Sequence, residues 1–384
     1  MTVEKRTALG AADVDDDVLA EMVAAQLGVE AVELLSAIAE VAPYDLEALT
    51  TAGRFWVHGK ARCGDMAMPF RFFVKVVQSW ERSPFFAFVP TELREVALAS
   101  VPWRREPDVY ASDLGDRLPA GLSMPAARGV VELDQLSAAI WLDAVEAVPV
   151  RWDTRRFTHA AYLMGRLAAS ADVAPLSAIG DIDNVPRTYA AGRLTQQVLP
   201  ALHDEDLWSH PVMTAAFDNR LRDDLRTAAA RVPAMLDELD LVPLATFHGD
   251  ACTRNLLVRR GAEEDGFVLI DFGFWGRGPV GFDLSQLLLG EVQTGERDAD
   301  ELPALEAACV DDYVRGLADE GLDLPVEVVR RSHALLMLEF SGLSAIPFEL
   351  LDGPPSPEAV RIARERALAA RFILDLVDAT TPLR

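Results

Sequence analysis

Two short stretches decide the fold, residues 244–257 (LATFHGDACTRNLL) and residues 267–274 (FVLIDFGF). In the first stretch, apolar residues on both sides enclose a polar loop that carries Asp250 and Asn255. In the second, Asp271 directly follows a short apolar run that is typical of a buried strand. The acidic turn between the stretches predicts a strand–turn–strand, which would bring the two polar loops side by side.

The residue types of these loops suit phosphoryl transfer. A carboxylate such as Asp250 can accept the proton of an incoming hydroxyl, and Asn255 offers an oxygen ligand of the kind that Mg²⁺ prefers. An aspartate at a strand end can also be a simple turn residue. We expect His248 to brace the loop through hydrogen bonds, and Cys252 to pack rather than to act as a nucleophile, because it lacks a paired His and Asn.

Lys75 stands out because only three of the 36 basic residues are lysines. It lies inside the apolar strand pattern of residues 70–78, where it is either a solvated outward lysine or a cation directed at nucleotide phosphates. A helix is predicted over residues 91–100, and a glutamate on it can pair with Lys75. Glu92 and Glu95 lie three residues apart and share part of a helix face, so the pattern leaves both open; we take Glu95 as the partner.

The order of the predicted elements indicates an α+β chain with a β-rich part, residues 1–142, and a larger helical part, residues 143–384, with a cleft expected between them. Residues 101–127 show no regular pattern apart from polar turns. The predicted helices cover residues 14–27, 91–100, 154–170, 218–239, 305–319 and 327–345, and the predicted strands cover residues 32–41, 54–61, 70–78, 128–133, 137–142, 256–259 and 267–270.

The net charge of −25 argues against binding to nucleic acid or to anionic membranes, which requires clustered Lys and Arg. The charge favours a cationic substrate through the long-range field, or it simply keeps the protein soluble. Cys63, Cys252 and Cys309 lie far apart in the sequence, which is typical of a reduced, cytoplasmic protein without a zinc site. The sequence has no long apolar run, so neither a signal peptide nor a transmembrane helix is expected.

A strand lysine, an acidic helix, H-G-D-x4-N and D-F-G in this order match the parts of the protein-kinase template. Residues 248–258 and 268–288 resemble the aminoglycoside phosphotransferase and choline-kinase-like family, which typically shows H-G-D-x4-N, then I-D-F/W, then a glycine-proline stretch that ends in D-L-A/S. The resemblance implies a bilobal, protein-kinase-like fold with a helical insertion. It also implies ATP (or GTP) as the phosphoryl donor and Mg²⁺ as the metal.

The resemblance also implies roles for single residues. Asp250 would be the catalytic base, and Arg254 would reach the γ-phosphate or remain solvated. Asn255 and Asp271 would hold the metal ions. Lys75 would bind the α- and β-phosphates and be braced by its glutamate partner.

Further roles follow from the same resemblance. Asp283 would steady the H-G-D loop. Leu142 and Ala144 lie in the segment that resembles the inter-lobe hinge, whose backbone would meet the adenine. No G-x-G-x-x-G precedes the strand lysine, so the turn that contains Thr51 and Gly53 is the candidate for covering the phosphates.

The acceptor is expected to be a small molecule. Too few residues follow Gly273 for an activation segment that would hold a peptide, whereas residues 155–245 form a long helical insertion that can wall a pocket. The alternatives are a protein kinase, which would carry arginine in place of Gly249, and a catalytically silent nucleotide-binding scaffold. The acceptor could be an aminoglycoside, a sugar, a nucleoside or a related metabolite. Candidate contacts for an amine or a ring are Asp181, Asp183, Asp204, Glu205, Asp206, Glu339 and Glu349, and Trp208, Phe274, Trp275 and Phe340.

Overall fold

The computed structural model describes residues 6–44, 48–180, 184–259 and 266–383. These residues divide into two compact units. The first contains the described chain up to Arg117, Ser123–Val148 and Arg259, and the second contains Leu118–Leu122, Pro149–Val258 and the described residues from 266 onward. The predicted boundary at residue 142 stays a prediction.

The strands are β1 (Glu33–Val41), β2 (Thr51–Cys63), β3 (Met66–Gln78), β4 (Leu122–Ser123), β5 (Ala127–Asp134), β6 (Ser137–Asp143), β7 (Leu244–Phe247), β8 (Leu256–Leu257), β9 (Phe267–Leu269) and β10 (Gly276–Pro279). The α-helices are α1 (Asp16–Leu27), α2 (Arg94–Ser100), α3 (Arg105–Ala111), α4 (Leu114–Arg117), α5 (Thr154–Ala169), α6 (Val185–Tyr189), α7 (Leu199–Leu202), α8 (Glu205–Trp208), α9 (Pro211–Ala216), α10 (Asn219–Ala229), α11 (Val232–Leu239), α12 (Phe282–Gln293), α13 (Leu302–Asp319), α14 (Val326–Met337) and α15 (Pro357–Ala379). Two segments, Ala190–Val198 and Leu338–Gly342, are π-helical.

The first unit is built on an antiparallel five-stranded sheet in the order β1-β2-β3-β6-β5. Alternate residues of β3 are buried, as expected for a sheet with one face on a core. Phe72 and Trp141 lie in that core together with Leu19 of α1. Gly28 ends α1 in the left-handed conformation (φ 68°), which glycine adopts without strain. The helix predicted over residues 14–27 is therefore confirmed.

Three element predictions need correction. A 3₁₀ turn, Thr91–Leu93, precedes α2, so the α-helix predicted over residues 91–100 begins only at Arg94. The single helix predicted over residues 218–239 is two helices, because Pro233 in the first turn of α11 cannot continue α10. The stretch 101–127, predicted to be irregular, contains α3 and α4.

The second unit is mainly helical. Helix α5 packs closely on α13: a Cβ placed on Gly165 would lie 2.2 Å from the Tyr313 carbonyl oxygen, and one on Gly316 would lie 2.1 Å from the Tyr162 carbonyl oxygen. Small sheets of order β10-β7 and β4-β9-β8 carry the polar loops at their strand ends. Within the described ranges, no helix combines the length and the apolar character needed to cross a membrane.

Candidate active site

The polar loop after β7 fixes the side chain of Asp250 through Asn255. The Asn255 side-chain Nδ2 donates to the Asp250 carboxylate Oδ2 and to the Asp250 carbonyl oxygen, at 2.9 Å each. Asn255 is 8 % exposed. Since Nδ2 is used in this way, the side-chain oxygen of Asn255 is the atom that can serve as a metal ligand.

Asp283, in the first turn of α12, fixes the backbone of the same loop through its carboxylate. Its Oδ2 accepts from the His248 backbone N–H and its Oδ1 accepts from the Gly249 backbone N–H, both at 2.8 Å. The carboxyl is 2 % exposed. Burial raises the pKa of Asp283 to about 6, although the two backbone hydrogen bonds act in the opposite direction. This geometry matches the bracing position that was predicted for Asp283.

Gly249 has to be a glycine. Its φ is +90°, and a Cβ there would lie 2.2 Å from the Phe274 carbonyl oxygen. The approach is this close because β7 and β10 pair antiparallel, with Phe247 opposite Gly276. The arginine that protein kinases carry at this position would not fit.

His248 is a structural residue of the loop. Its ring is fully buried, Nδ1 accepts from the Asp250 backbone N–H at 3.3 Å, and Nε2 donates to the Ile270 carbonyl oxygen at 3.0 Å. Burial lowers the pKa of His248 to about 4, so the imidazole is neutral at physiological pH. It thereby links the H-G-D loop to the strand end before Asp271.

Asp271 has a backbone conformation that is rare for a non-glycine residue, with φ 66° and ψ 67°. Such conformations cluster at functional sites. The Ile270 backbone N–H donates to the Asn255 carbonyl oxygen at 3.1 Å, which ties the backbone just before Asp271 to Asn255. The two predicted metal ligands therefore lie on loops that are joined by a hydrogen bond.

The donor set suits a hard cation. Asn255 and Asp271 supply only oxygen ligands, and Mg²⁺ is typically held by one or two carboxylates together with substrate phosphates and water. In the part of the chain that the structure describes, no group of three or more His, Cys, Asp or Glu could hold a metal by itself. Such a site would be completed by a nucleotide.

Two further residues of the loop, Cys252 and Arg254, differ in burial and in charge. Burial raises the pKa of the Cys252 thiol to about 12, and the nearby carboxylates of Asp250 and Asp271 add to the shift. Cys252 is therefore a thiol at neutral pH rather than a nucleophilic thiolate. Arg254 forms an ion pair with Glu296, and both side chains are about half exposed. The predicted contact of Arg254 with a γ-phosphate stays a prediction.

The glutamate that pairs with Lys75 is Glu106, so the prediction of Glu95 is wrong. Lys75 Nζ lies 2.8 Å from Glu106 Oε1 and 2.6 Å from Oε2, and both side chains are buried, at 7 % and 6 % exposure. Glu95 and Glu92 are exposed. The solvated interpretation of Lys75 is also wrong, because this side chain is buried and paired with Glu106.

The signal for Glu106 was present in the sequence. Helix α3 begins with Arg105-Glu106-Pro107, and a glutamate and a proline in the first turn are typical of a helix start. The stretch reads as irregular because the helix spans only Arg105–Ala111. The prediction of Glu95 rests on a helix that lies closer in sequence to the strand lysine.

The remaining predicted nucleotide contacts lie on the sheet of the first unit. Thr51 and Gly53 are at the start of β2, where the pairing with β3 shifts register, so this segment is a strand with a bulge rather than a turn. Leu142 is buried in β6, and the Ala144 backbone N–H donates to the Arg71 carbonyl oxygen at 3.2 Å. Their roles in nucleotide binding stay predictions.

Most of the candidate acceptor contacts have structural partners. Trp208 and Trp275 are buried, and their indole N–H groups donate to the carbonyl oxygens of Leu202 and Leu176. Phe274 is 52 % exposed. Asp181 and Asp183 lie outside the described residues, and Asp204 caps α8.

Comparison with known proteins identifies the chemistry. The model of the phosphotransferase enzyme family matches residues 121–323, more than half of the chain. This is the family that the H-G-D and D-F-G stretches predicted. The predicted α+β class, with an antiparallel sheet in the N-terminal region and a helical C-terminal part, is confirmed. No curated protein matches the sequence.

Several solved structures are similar to the chain. An aminoglycoside phosphotransferase from Alicyclobacillus acidocaldarius has 13 % identity and a TM-score of 0.49, with 88 % of this chain and 96 % of that chain covered. The Plasmodium vivax ethanolamine kinase Pv091845 has 13 % identity and a TM-score of 0.46, with 88 % and 83 % covered. A microcompartment-associated aminopropanol kinase has 15 % identity and a TM-score of 0.44, with 88 % and 94 % covered.

Proposed function

Since the chain belongs to the phosphotransferase enzyme family, we propose that it transfers the γ-phosphoryl group of ATP to a hydroxyl group of a small molecule, with Asp250 as the catalytic base. The transferase and small-molecule kinase class is shown by the family. The nucleotide, the metal and the residue roles are our proposal.

The observation that carries the proposal is the set of hydrogen bonds that fix Asp250 in place. Asn255 donates to its carboxylate at 2.9 Å, and Asp283 binds the two preceding backbone N–H groups. The Asp250 carboxylate is thereby positioned to orient an acceptor hydroxyl and to take its proton. Phosphoryl transfer depends mainly on such positioning and on electrostatic stabilisation.

Each unit, taken by itself, offers groups that suit a nucleotide or its metal ion. Lys75, held by Glu106, would bind the α- and β-phosphates, and Asn255 and Asp271 would hold Mg²⁺. Bound Mg²⁺ supplies charge neutralisation at the β- and γ-phosphate oxygens. To bind the γ-phosphate, Arg254 would have to break its ion pair with Glu296.

The stretch after Gly273 supports a small acceptor. Gly276–Pro279 pairs with β7, and α12 begins at Phe282. These residues pair in a sheet or begin a helix of the second unit, so they do not form a platform for a peptide. The cytoplasmic location inferred from the cysteines stays a prediction.

The proposal is tested by measuring nucleotide turnover with and without acceptors. Purified chain is mixed with ATP or GTP and Mg²⁺, and ADP or GDP release is followed with a panel of hydroxylated acids, polyols, amino alcohols, sugars, nucleosides and aminoglycosides. Acceptor-stimulated release that stops when EDTA removes the metal is the expected result. Tight nucleotide binding without transfer to any acceptor would instead favour the silent scaffold.

A further inference from the structure

A cavity of about 250 Å³ lies inside the second unit, between α12, α15 and the π-helical segment Leu338–Gly342. Its polar lining includes Gln286 and Gln293 of α12, Ser344, and the side chains of Arg193, Glu349 and Arg366. We call it the α12 cavity. Its volume is below the ~300–1,000 Å³ of pockets that take drug-sized ligands, so it suits a compact molecule.

The α12 cavity adjoins the catalytic loop through α12. A Cβ placed on Gly290 would lie 2.9 Å from the Cys252 Cβ, and Cys252 is two residues after Asp250 in the chain. Gln286 and Gln293 lie one helical turn to either side of Gly290 and share its face. Helix α12 therefore contributes residues to the cavity lining and also contacts the loop that carries the base.

The two π-helical segments meet at this cavity. Arg193 comes from Ala190–Val198 and Phe340 from Leu338–Gly342. The Tyr189 ring packs on Phe340 with 4.4 Å between centroids, and the hydroxyls of Tyr189 and Ser344 lie 2.7 Å apart. π-helical turns are rare and frequently occur at functional sites.

Three of the acidic groups that could favour a cationic acceptor are already engaged or neutral. Glu349 forms an ion pair with Arg366, and Glu205 forms ion pairs with Arg222 and Arg226. Burial raises the pKa of Glu339 to about 9, so this carboxyl is uncharged at neutral pH. None of these groups offers a free negative charge to a bound amine.

Arg193, unlike these acidic groups, can offer its charge to a bound acceptor. Its side chain is exposed, it lines the cavity, and within the described residues it forms no ion pair. Because the charges of Glu349 and Arg366 offset each other, the cavity carries a net positive charge. A guanidinium binds carboxylate and phosphate oxygens through two parallel hydrogen bonds.

We propose that the α12 cavity binds the phosphoryl acceptor, and that this acceptor is a compact hydroxylated molecule with an anionic group, a carboxylate or a phosphate, bound by Arg193. The inference rests on the proposed function and gives its substrate class. It runs against the preference that the net charge of −25 suggests, because the local charge at the binding site outweighs the screened long-range field.

The test uses acceptors that share one carbon chain. At the same carbon position, gluconate carries a carboxylate, sorbitol a hydroxyl and glucamine an amine. Glycerol 3-phosphate and glycerol form a second matched pair, with and without a phosphate group. ADP release is measured with ATP and Mg²⁺, with Asp250→Asn as the blank. We expect kcat/KM for the acidic members to exceed that of the matched neutral and amine members by at least about 10-fold, as for one charge-assisted hydrogen bond.

Substitutions of Arg193 assign the preference to this residue. Arg193→Gln should raise KM for the acidic acceptors by about 10-fold or more while kcat changes little. Arg193→Glu should shift the preference toward the amines. Arg220→Gln removes an arginine with an 85 % exposed side chain on α10 and is the matched control, which should leave every constant unchanged.

The possible failures are distinguishable. Preference for neutral or amine acceptors, or acidic acceptors that are insensitive to Arg193→Gln, would overturn the inference and leave the proposed function intact. Absence of transfer to the acidic members overturns it as well. The proposed function itself fails only if no acceptor of the wider panel is phosphorylated.

Discussion

The turn at the start of α12 and the π-helical segment Leu338–Gly342 each bury a carboxyl group in the second unit, but in different surroundings. Asp283 is 2 % exposed and Glu339 is fully buried. Asp283 accepts two backbone hydrogen bonds at 2.8 Å, whereas neither carboxyl oxygen of Glu339 has a hydrogen-bond partner among the described residues. Burial raises the pKa of both groups, to about 6 for Asp283 and to about 9 for Glu339.

The difference shows what backbone donors do for a buried acid. Two N–H groups stabilise the Asp283 carboxylate enough to keep it ionised at neutral pH, and it can therefore hold the H-G-D loop. Without donors, Glu339 retains its proton. Glu106 is a third buried acid, and its carboxylate is paired with the Lys75 ammonium instead of with backbone donors. Substitutions at these three positions should have effects of different size and sign.

The largest effect on stability is expected at Glu106. Glu106→Ala removes one partner of a buried ion pair, which typically costs about 3–5 kcal/mol, and it should also weaken nucleotide binding because Lys75 loses its support. Urea unfolding and nucleotide titration measure the two effects. Glu95→Ala is the matched control on an exposed helix position, and its expected change is within about 0.5 kcal/mol. Equal effects of the two variants would contradict the assignment of Glu106.

Asp283→Asn should have the next largest effect. An amide cannot accept from both backbone N–H groups without placing its own donor against one of them, so we expect a loss of about 2–3 kcal/mol. Because the base is displaced, kcat should fall on the order of 10–10²-fold while KM for ATP changes little.

The same variant gives a pH test. The Asp283 carboxylate holds the loop above its pKa of about 6, so kcat of the wild type should fall as the pH drops through 6. Asp283→Asn should lack this decrease, and Asp300→Asn, at an exposed position, should retain it. A decrease in kcat that persists in Asp283→Asn would assign it to another group.

Glu339→Gln is expected to have the smallest effect, and to stabilise. The ordinary pKa of 4.5 is raised to about 9 in the fold, so the folded chain holds a proton that the unfolded chain releases above pH 4.5. The contribution of Glu339 to the free energy of unfolding therefore falls as the pH rises from 4.5 to 9. The variant has no such proton, and after the cost of burying an amide we expect a gain of about 1–2 kcal/mol at pH 7.

Urea unfolding of wild type and Glu339→Gln between pH 5 and pH 9 measures this gain, which should grow with pH. Glu327→Gln, at an exposed position of α14, is the control. A loss of stability that does not depend on pH would mean that Glu339 has donors in solution.

The sequence predicts well which residues meet at the H-G-D loop, because these residues are close in the chain. Asp250 and Asn255 are held together by one turn of backbone, and the chain order places Asp271 beside them. The partner of Lys75 lies 31 residues away on a helix too short to be recognised by its periodicity, so Glu106 was missed. The protonation state of Glu339 depends on what surrounds it, which sequence patterns do not report.

The sequence also does not show which aromatic residues are buried in the core. Trp208 and Trp275 were candidates for stacking on a ring, but each is buried and donates to a backbone carbonyl. Composition alone does not distinguish a tryptophan in a pocket from one in a core. The π-helical segments also have no sequence signature, and therefore the α12 cavity could not have been predicted.

Asp250 is proposed as the base of a phosphoryl transfer, and the variant Asp250→Asn removes that base. The measurement is acceptor-dependent ADP release with ATP and Mg²⁺, together with nucleotide affinity by titration calorimetry. Asp300→Asn, at an exposed position, serves as the control. The account predicts that Asp250→Asn lowers kcat by about 10²–10⁴-fold with nucleotide affinity retained; near-wild-type turnover in this variant would contradict it.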